Sequence, residues 1–209
     1  RTMPEGFRIS QVRELRPFLE LWAGALRHLA PAGADNPRIA LLTGGVSQPS
    51  WFEHLLVSRE LGCLLVEGGD LTARNGEVFL KTLRGLLRVD VLLRRIDGRL
   101  ADPLELTPDS ALGVPGLIDA MRAGGIRVVN DPGSHLTEAP ALAAFLPALA
   151  RHLLGESLVL ESVPTLWLGA PDACEAVLAE PARWLIRAAL DGAAMATDPG
   201  ALSEAGLDA

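Results

Sequence analysis

The sequence predicts an α/β fold: a mostly parallel sheet with helices on both faces and one small β-hairpin beside it. Short apolar runs that read as strands alternate with segments of helical spacing. Several of those strands are continuously apolar, as strands buried on both faces are, and do not alternate polar with apolar. Asn75-Gly76 lies between two short runs and is the strongest local hairpin signal.

The elements follow in order. Val12, Leu15, Phe18, Leu19, Trp22, Leu26 and Leu29 fall at helical spacing and predict a helix over 10–30, with Ser10 as its N-cap. Pro31 and Pro37 bound a turn-rich connection. Arg38–Thr43 reads as a strand, followed by the loop Thr43-Gly44-Gly45-Val46-Ser47-Gln48-Pro49. Ser50-Trp51-Phe52-Glu53 fits a capping box opening a helix to Leu61, closed by Gly62. Cys63–Glu67 is a second strand, and Leu71–Arg74 and Glu77–Leu80 are the hairpin arms. Val89–Leu93 is a third core strand, 116–123 a helix closing at Gly124-Gly125, and Ile126–Val129 a fourth strand. Pro140–Leu154 reads as a helix that must kink or break at Pro147, because proline has no N–H to give. Val163–Leu168, Pro171–Leu178 and Trp184–Arg187 follow as strand, helix and last strand.

These elements group into an N-terminal helix and linker over 1–36, a sheet domain over 37–170 and the start of a further segment over 171–209. The chain opens at Arg1 and ends in SEAGLDA, which reads as the first turns of another helix. The expectation is a piece of a longer protein.

Composition narrows the function. The chain has 209 residues, 49% hydrophobic, enough for a core that needs no staples. Its net charge of −7 opposes binding to phosphate backbones, so nucleic acid is not an expected partner. Eighteen of the nineteen basic residues are arginine; the exception is Lys81, which excludes chemistry needing two lysines. Cys63 and Cys174 read as reduced, buried thiols, and the four histidines show no metal-ligand spacing. No stretch of 18 apolar residues and no signal peptide is present, so no membrane is expected and the cytoplasm is the expected compartment.

In open α/β sheets, ligands bind beyond the carboxyl ends of the strands. Three such ends carry polar or glycine-rich residues. Gly44 and Gly45 precede a helix whose N-terminus suits an anion, although a plain capped connection explains them too. Arg94-Arg95-Ile96-Asp97 is the second end. Alternation puts Val91, Leu93, Arg95 and Asp97 on one face and Leu92, Arg94 and Ile96 on the other. Asp97 can then orient the Arg95 guanidinium toward a carboxylate or phosphate, or the two can form a structural ion pair. The third end is Asn130-Asp131-Pro132-Gly133-Ser134-His135, either a structural loop or a cleft lining. His135 is the histidine best placed to face a cleft, but it has no nucleophile pattern around it. Trp22, Trp51, Trp167 and Trp184 read as core, and Asp102, Glu105 and Asp109 as a solvated acidic loop with cation-like spacing.

The order of segments resembles the circularly permuted ATP-grasp proteins of type 2. The stretches that carry the resemblance are LLTGGVSQPSWFEHLLVSRELG (41–62), LVEGGDLTARNGEVFLKTLRGLLRVDVLLRRID (65–97), DPLELTPDSALGVPGLIDAMRAG (102–124), VVNDPGSHLTEAPALAAFLPALARHLLGE (128–156) and PTLWLG (164–169). DVLLRRID (90–97) and VNDPGS (129–134) are also remotely similar to a strand and a loop of bacterial glutathione synthetases. The resemblance implies a Rossmann-like pre-ATP-grasp domain forming one wall of a substrate cleft. It also implies ATP and magnesium as cofactors of the whole protein, with Arg95, Asp97, Asn130, Gly44, Gly45 and Ser134 on the substrate side. Arg187 falls where that family keeps a nucleotide-binding lysine.

The chain departs from the pattern in several places. Glu138-Ala139-Pro140 carries no lysine where the family has its first nucleotide lysine. The segment after Arg187, Leu190–Met195, is poor in glycine, and the E-x-N magnesium motif is absent. The resemblance therefore implies the substrate-cleft domain of an ATP-dependent, peptide-forming carboxylate–amine ligase, not catalytic alone. Its partners would be a small-molecule or peptide substrate and the remainder of an ATP-grasp protein. The alternatives are a non-catalytic homologue acting as a binding or assembly module and a generic Rossmann-like small-molecule binder. The catalytic residues are left unassigned.

Overall fold

The computed structural model describes residues 6, 9–10, 13–31, 34–192 and 195–198. The chain divides into two compact units, Arg1–Pro132 and Gly133–Ala209.

In the first unit, β1 (Ile39–Thr43), β2 (Leu64–Glu67), β6 (Val91–Arg94) and β7 (Arg127–Val129) form a four-stranded sheet in the order β2-β1-β6-β7. Every pairing in it is parallel. The apolar runs are explained by burial on both sides. Ala40, Leu42, Leu92 and Val128 point into one core, and Ile39, Leu41, Val91 and Leu93 into the other. The second core is covered by α1 (Arg16–His28), through Ala23 and Leu26, and by α2 (Trp51–Leu61), through Leu61. The first is covered by α3 (Leu117–Arg122), through Leu117 and Ala120, and by a three-stranded antiparallel sheet. That sheet is β3 (Leu71–Arg74), β4 (Glu77–Thr82) and β5 (Gly85–Val89), which bury Leu71, Val78 and Val89.

The connections fix where a ligand would sit. α2 carries the chain from β1 to β2 across one face, and α3 carries it from β6 to β7 across the other. Right-handed crossovers running in opposite directions must use opposite faces. β1 and β6 are neighbours whose onward connections diverge, which makes their carboxyl ends the switch point of the sheet, the place where open α/β sheets bind ligands.

Several expectations are corrected. The expected hairpin does turn at Asn75-Gly76, with φ of 53° and 77°, the left-handed pair a tight hairpin needs. It then gains a third strand, β5, so Val89 belongs to the small sheet and not to the core strand. Asp90 separates the two sheets: it is buried, accepts a hydrogen bond from the Arg38 backbone N–H at 2.8 Å and pairs with Arg88 Nε at 3.1 Å. The helix expected over 10–30 runs over Arg16–His28, with Leu15 and not Ser10 at its N-cap. Pro17 explains this, because a missing N–H costs nothing in a first turn and a hydrogen bond further in. Val12 and the SEAGLDA end lie outside the described residues.

The second unit contains α4 (Leu142–Leu154) and α5 (Pro171–Ala179). α4 runs through Pro147 without a break. Val163–Leu168 forms no strand; Val163 is 82% exposed, and Trp167 sits against the Phe145 ring at 6.2 Å. Trp184–Arg187 shrinks to a single antiparallel bridge between Ile186 and Thr197. An apolar run without a neighbouring strand leaves its backbone groups to water and stays irregular.

Candidate functional site

At the carboxyl ends of β1 and β6, a polar cluster is built from two strands and one helix. Thr43, the last residue of β1, is fully buried, and its Oγ1 is hydrogen-bonded to His54 Nδ1 at 2.8 Å. The Gly45 N–H also donates to Thr43 Oγ1, at 3.3 Å. His54 lies on the first turn of α2 and is 3% exposed. Burial pushes its pKa below the usual 6.5, the Arg95 charge pushes the same way, and Glu53 opposes them. The ring is therefore neutral at pH 7.

Arg95 follows β6 directly, its backbone N–H donating to Leu42 O at 2.9 Å. Alternation puts its side chain on the α2 face, where Nη2 donates to Glu53 Oε1 at 2.6 Å. Its Nε is buried with no hydrogen-bond partner among the described residues. The Arg95 and Glu53 side chains are 33% and 59% exposed, so water screens the pair and it is worth only about 0–1 kcal/mol. Gly45 has φ +87°, and a Cβ there would lie 2.9 Å from Glu67 Oε1, at the end of β2. The loop backbone thus runs close under that carboxylate. Chemically, the cluster offers a guanidinium with an unpartnered, buried N–H, a buried neutral imidazole and two carboxylates.

The residues singled out from the sequence are not all brought together. Arg95, Gly44 and Gly45 all follow the carboxyl ends of β1 and β6, at the switch point. Asp97 does not pair with Arg95: it accepts from the Arg99 backbone N–H at 2.8 Å and pairs with Arg99 Nη2 at 2.9 Å. Those Arg99 hydrogen bonds hold its carboxyl below the usual range. The strand ends at Arg94, so regular alternation no longer carries Asp97 to the Arg95 side. Arg94 points to the opposite face, where it donates to Asn130 O at 3.0 Å and to Ile96 O. Asn130 thus contributes a carbonyl to a structural clamp. Ser134, half-buried with an unpartnered Oγ, and exposed Arg187, which donates to Gly192 O at 3.2 Å, belong to the second unit.

Other expectations change as well. Ser50 makes no side-chain cap, and Glu53 turns to Arg95, so the S-x-x-E box does not form. The anion-suited turn has already used two of its amides, Gln48 N–H on Gly45 O and Trp51 N–H on Gln48 O. His135 is exposed. Asp102 is no solvated loop residue but fully buried, and Glu105 pairs with Arg122 at 3.1 Å. Cys174 is exposed, whereas burial raises the Cys63 thiol to about 11. Among the described residues no group of three or more His, Cys, Asp or Glu could hold a metal ion.

His54 and Glu53 are the participants that sequence reasoning missed. The inward stripe of α2 is His54, Ser58 and Leu61, while Phe52, Leu55 and Leu56 stand exposed. Hydrophobicity alone turns this helix the wrong way round. The available signal was the spacing of His54, Ser58 and Leu61, which fall on one helical stripe that ends just before the Gly62 cap.

The family described as circularly permuted ATP-grasp type 2 matches the chain over residues 1–205. An uncharacterized protein of Mycobacterium tuberculosis is 39% identical over 180 residues, covering 86% of this chain and 20% of that protein. One from Synechocystis is 34% identical over 164 residues, 78% of this chain and 34% of the relative. One from Mycobacterium leprae is 36% identical over 170 residues, 80% and 30% respectively. The chain thus spans about a fifth to a third of the length of these curated relatives. With this match over almost its whole length, and with a parallel sheet whose polar cluster lies at the switch between β1 and β6, the chain belongs to the circularly permuted ATP-grasp type 2 family.

Proposed function

We propose that this chain supplies the substrate cleft of an ATP-grasp-like, ATP-dependent carboxylate–amine ligase of the peptide-forming kind, and is not catalytic alone. The observation that supports this most is Arg95 at the β1–β6 switch point, with a buried, unpartnered Nε. A guanidinium takes a carboxylate through two parallel N–H groups. Arg95 would hold the acid, with Thr43, Gly44 and Gly45 forming the adjacent wall. Ligases of this kind make an acyl phosphate from the acid and ATP, then pass it to an amine, out of reach of water. The described residues do not fit the cofactors: they offer no magnesium cluster, and Lys81, the single lysine, lies on β4. ATP and magnesium therefore fall to other parts of the longer family members, and no step is derived through them.

Titration calorimetry of the full-length protein with Mg-ATP is expected to give binding heat and protection from thermal unfolding. The absence of both heat and protection would sink the ligase reading and leave the binding or assembly module, which the lysine-free Glu138-Ala139-Pro140 stretch favours. Arg95→Ala is expected to weaken carboxylate binding at least tenfold, about 1.4 kcal/mol. Binding that survives this change intact removes Arg95 from the cleft.

A further inference from the structure

We infer that Glu53 sets the selectivity of the Arg95 site, restricting it to ligands that carry their own cation close to their carboxylate: a free α-amino acid and not a simple acid. The inference rests on the reading of Arg95 as ligand-facing and names its ligand class.

The geometry carries it. Glu53 holds Arg95 through one nitrogen, Nη2, at 2.6 Å, while Nε is buried with no hydrogen-bond partner among the described residues. Glu53 is more than half exposed, so the contact is readily displaced by a ligand carboxylate that takes its place on Nη2. A simple acid that does so leaves Glu53 beside it, two like charges on one guanidinium. The imidazole beside them does not relieve that repulsion. His54 is neutral, and its Nδ1 is already bonded to Thr43. Glu67, across the Gly45 backbone, adds a second carboxylate. An ammonium on the carbon next to the ligand carboxylate gives the displaced Glu53 a partner and matches both signs at once. Discrimination of this kind comes from building a repulsive element against the wrong ligand.

The test is an NMR titration of the full-length protein with L-alanine, N-acetyl-L-alanine, L-alaninamide and propionate, reading amides around Arg95. L-Alanine is expected to bind at least tenfold more tightly than each of the other three. Glu53→Gln should abolish that preference, with propionate and N-acetyl-L-alanine binding at least as well as alanine, whereas Glu53→Asp should keep it. The inference is overturned if N-acetyl-L-alanine matches alanine on the unaltered protein, if Glu53→Gln leaves the order unchanged, or if no probe shifts those amides. Mg-ATP binding is scored separately: its loss with the alanine preference intact sinks the ligase reading alone.

Discussion

Asp102 shows how far a single carboxylate can organise a loop. It is fully buried and accepts three backbone hydrogen bonds, from Leu104 and Gly116 through Oδ1 at 2.9 and 3.2 Å and from Ile118 through Oδ2 at 2.9 Å. Each is charge-assisted, and its loss would leave a poorly hydrated amide unpaired. Asp102→Ala is expected to destabilise the protein by about 3 kcal/mol or more, measured by urea unfolding. The sequence showed an acidic residue in a proline-containing loop; the partners are amides at Gly116 and Ile118, which no local pattern reveals. His54 gives a pH signature. Its pKa is lowered on folding, so its contribution is fully present above the usual 6.5 and is lost as pH falls from there toward the folded value, where the unfolded chain binds the extra proton. Denaturation midpoints should decline over that window, and a His54→Gln variant should show a shallower decline. The Arg95 side of the strand was legible because alternation holds through Arg94, and the Asp97 role was not, because the strand ends there.

Among elements, the tightest fit joins the α3–β7 turn to the hairpin. A Cβ on Gly125 would fall 1.9 Å from Gly76 O, a backbone atom that cannot swing aside. Gly125→Ala should therefore cost about 1–3 kcal/mol by overpacking, with the loss visible as a lower thermal midpoint. The parallel strands were readable because burial on both faces leaves a continuous apolar run, as in β1, where all five residues are buried. β5 escaped notice because its Leu86 and Leu87 are exposed and because its turn, Leu83-Arg84 followed by Gly85 at φ 119°, lacks the Asn-Gly pair that marks the first one. α2 was found by its ends, and its inward side is set by packing against Thr43 and Arg95, not by hydrophobicity.

At the scale of the whole molecule, the first unit follows one rule: each connection covers the face that its direction dictates. The second unit was the less legible part, because its apolar runs find no sheet to join and only their helices survive as expected. The three-stranded sheet β3–β5 has a further consequence, which concerns the order of assembly. It stands where a parallel crossover would ordinarily hold a helix, between β2 and β6. Pairing Ile39 with Val91 is a distant contact, and closing so long a loop is slow. A meander whose turns form locally gathers residues 71–89 beforehand and brings Val91 within reach of β1. Gly76→Ala should accordingly slow refolding more than it speeds unfolding, as read from the two arms of a chevron plot. The small sheet would then be the splint on which the larger one is set.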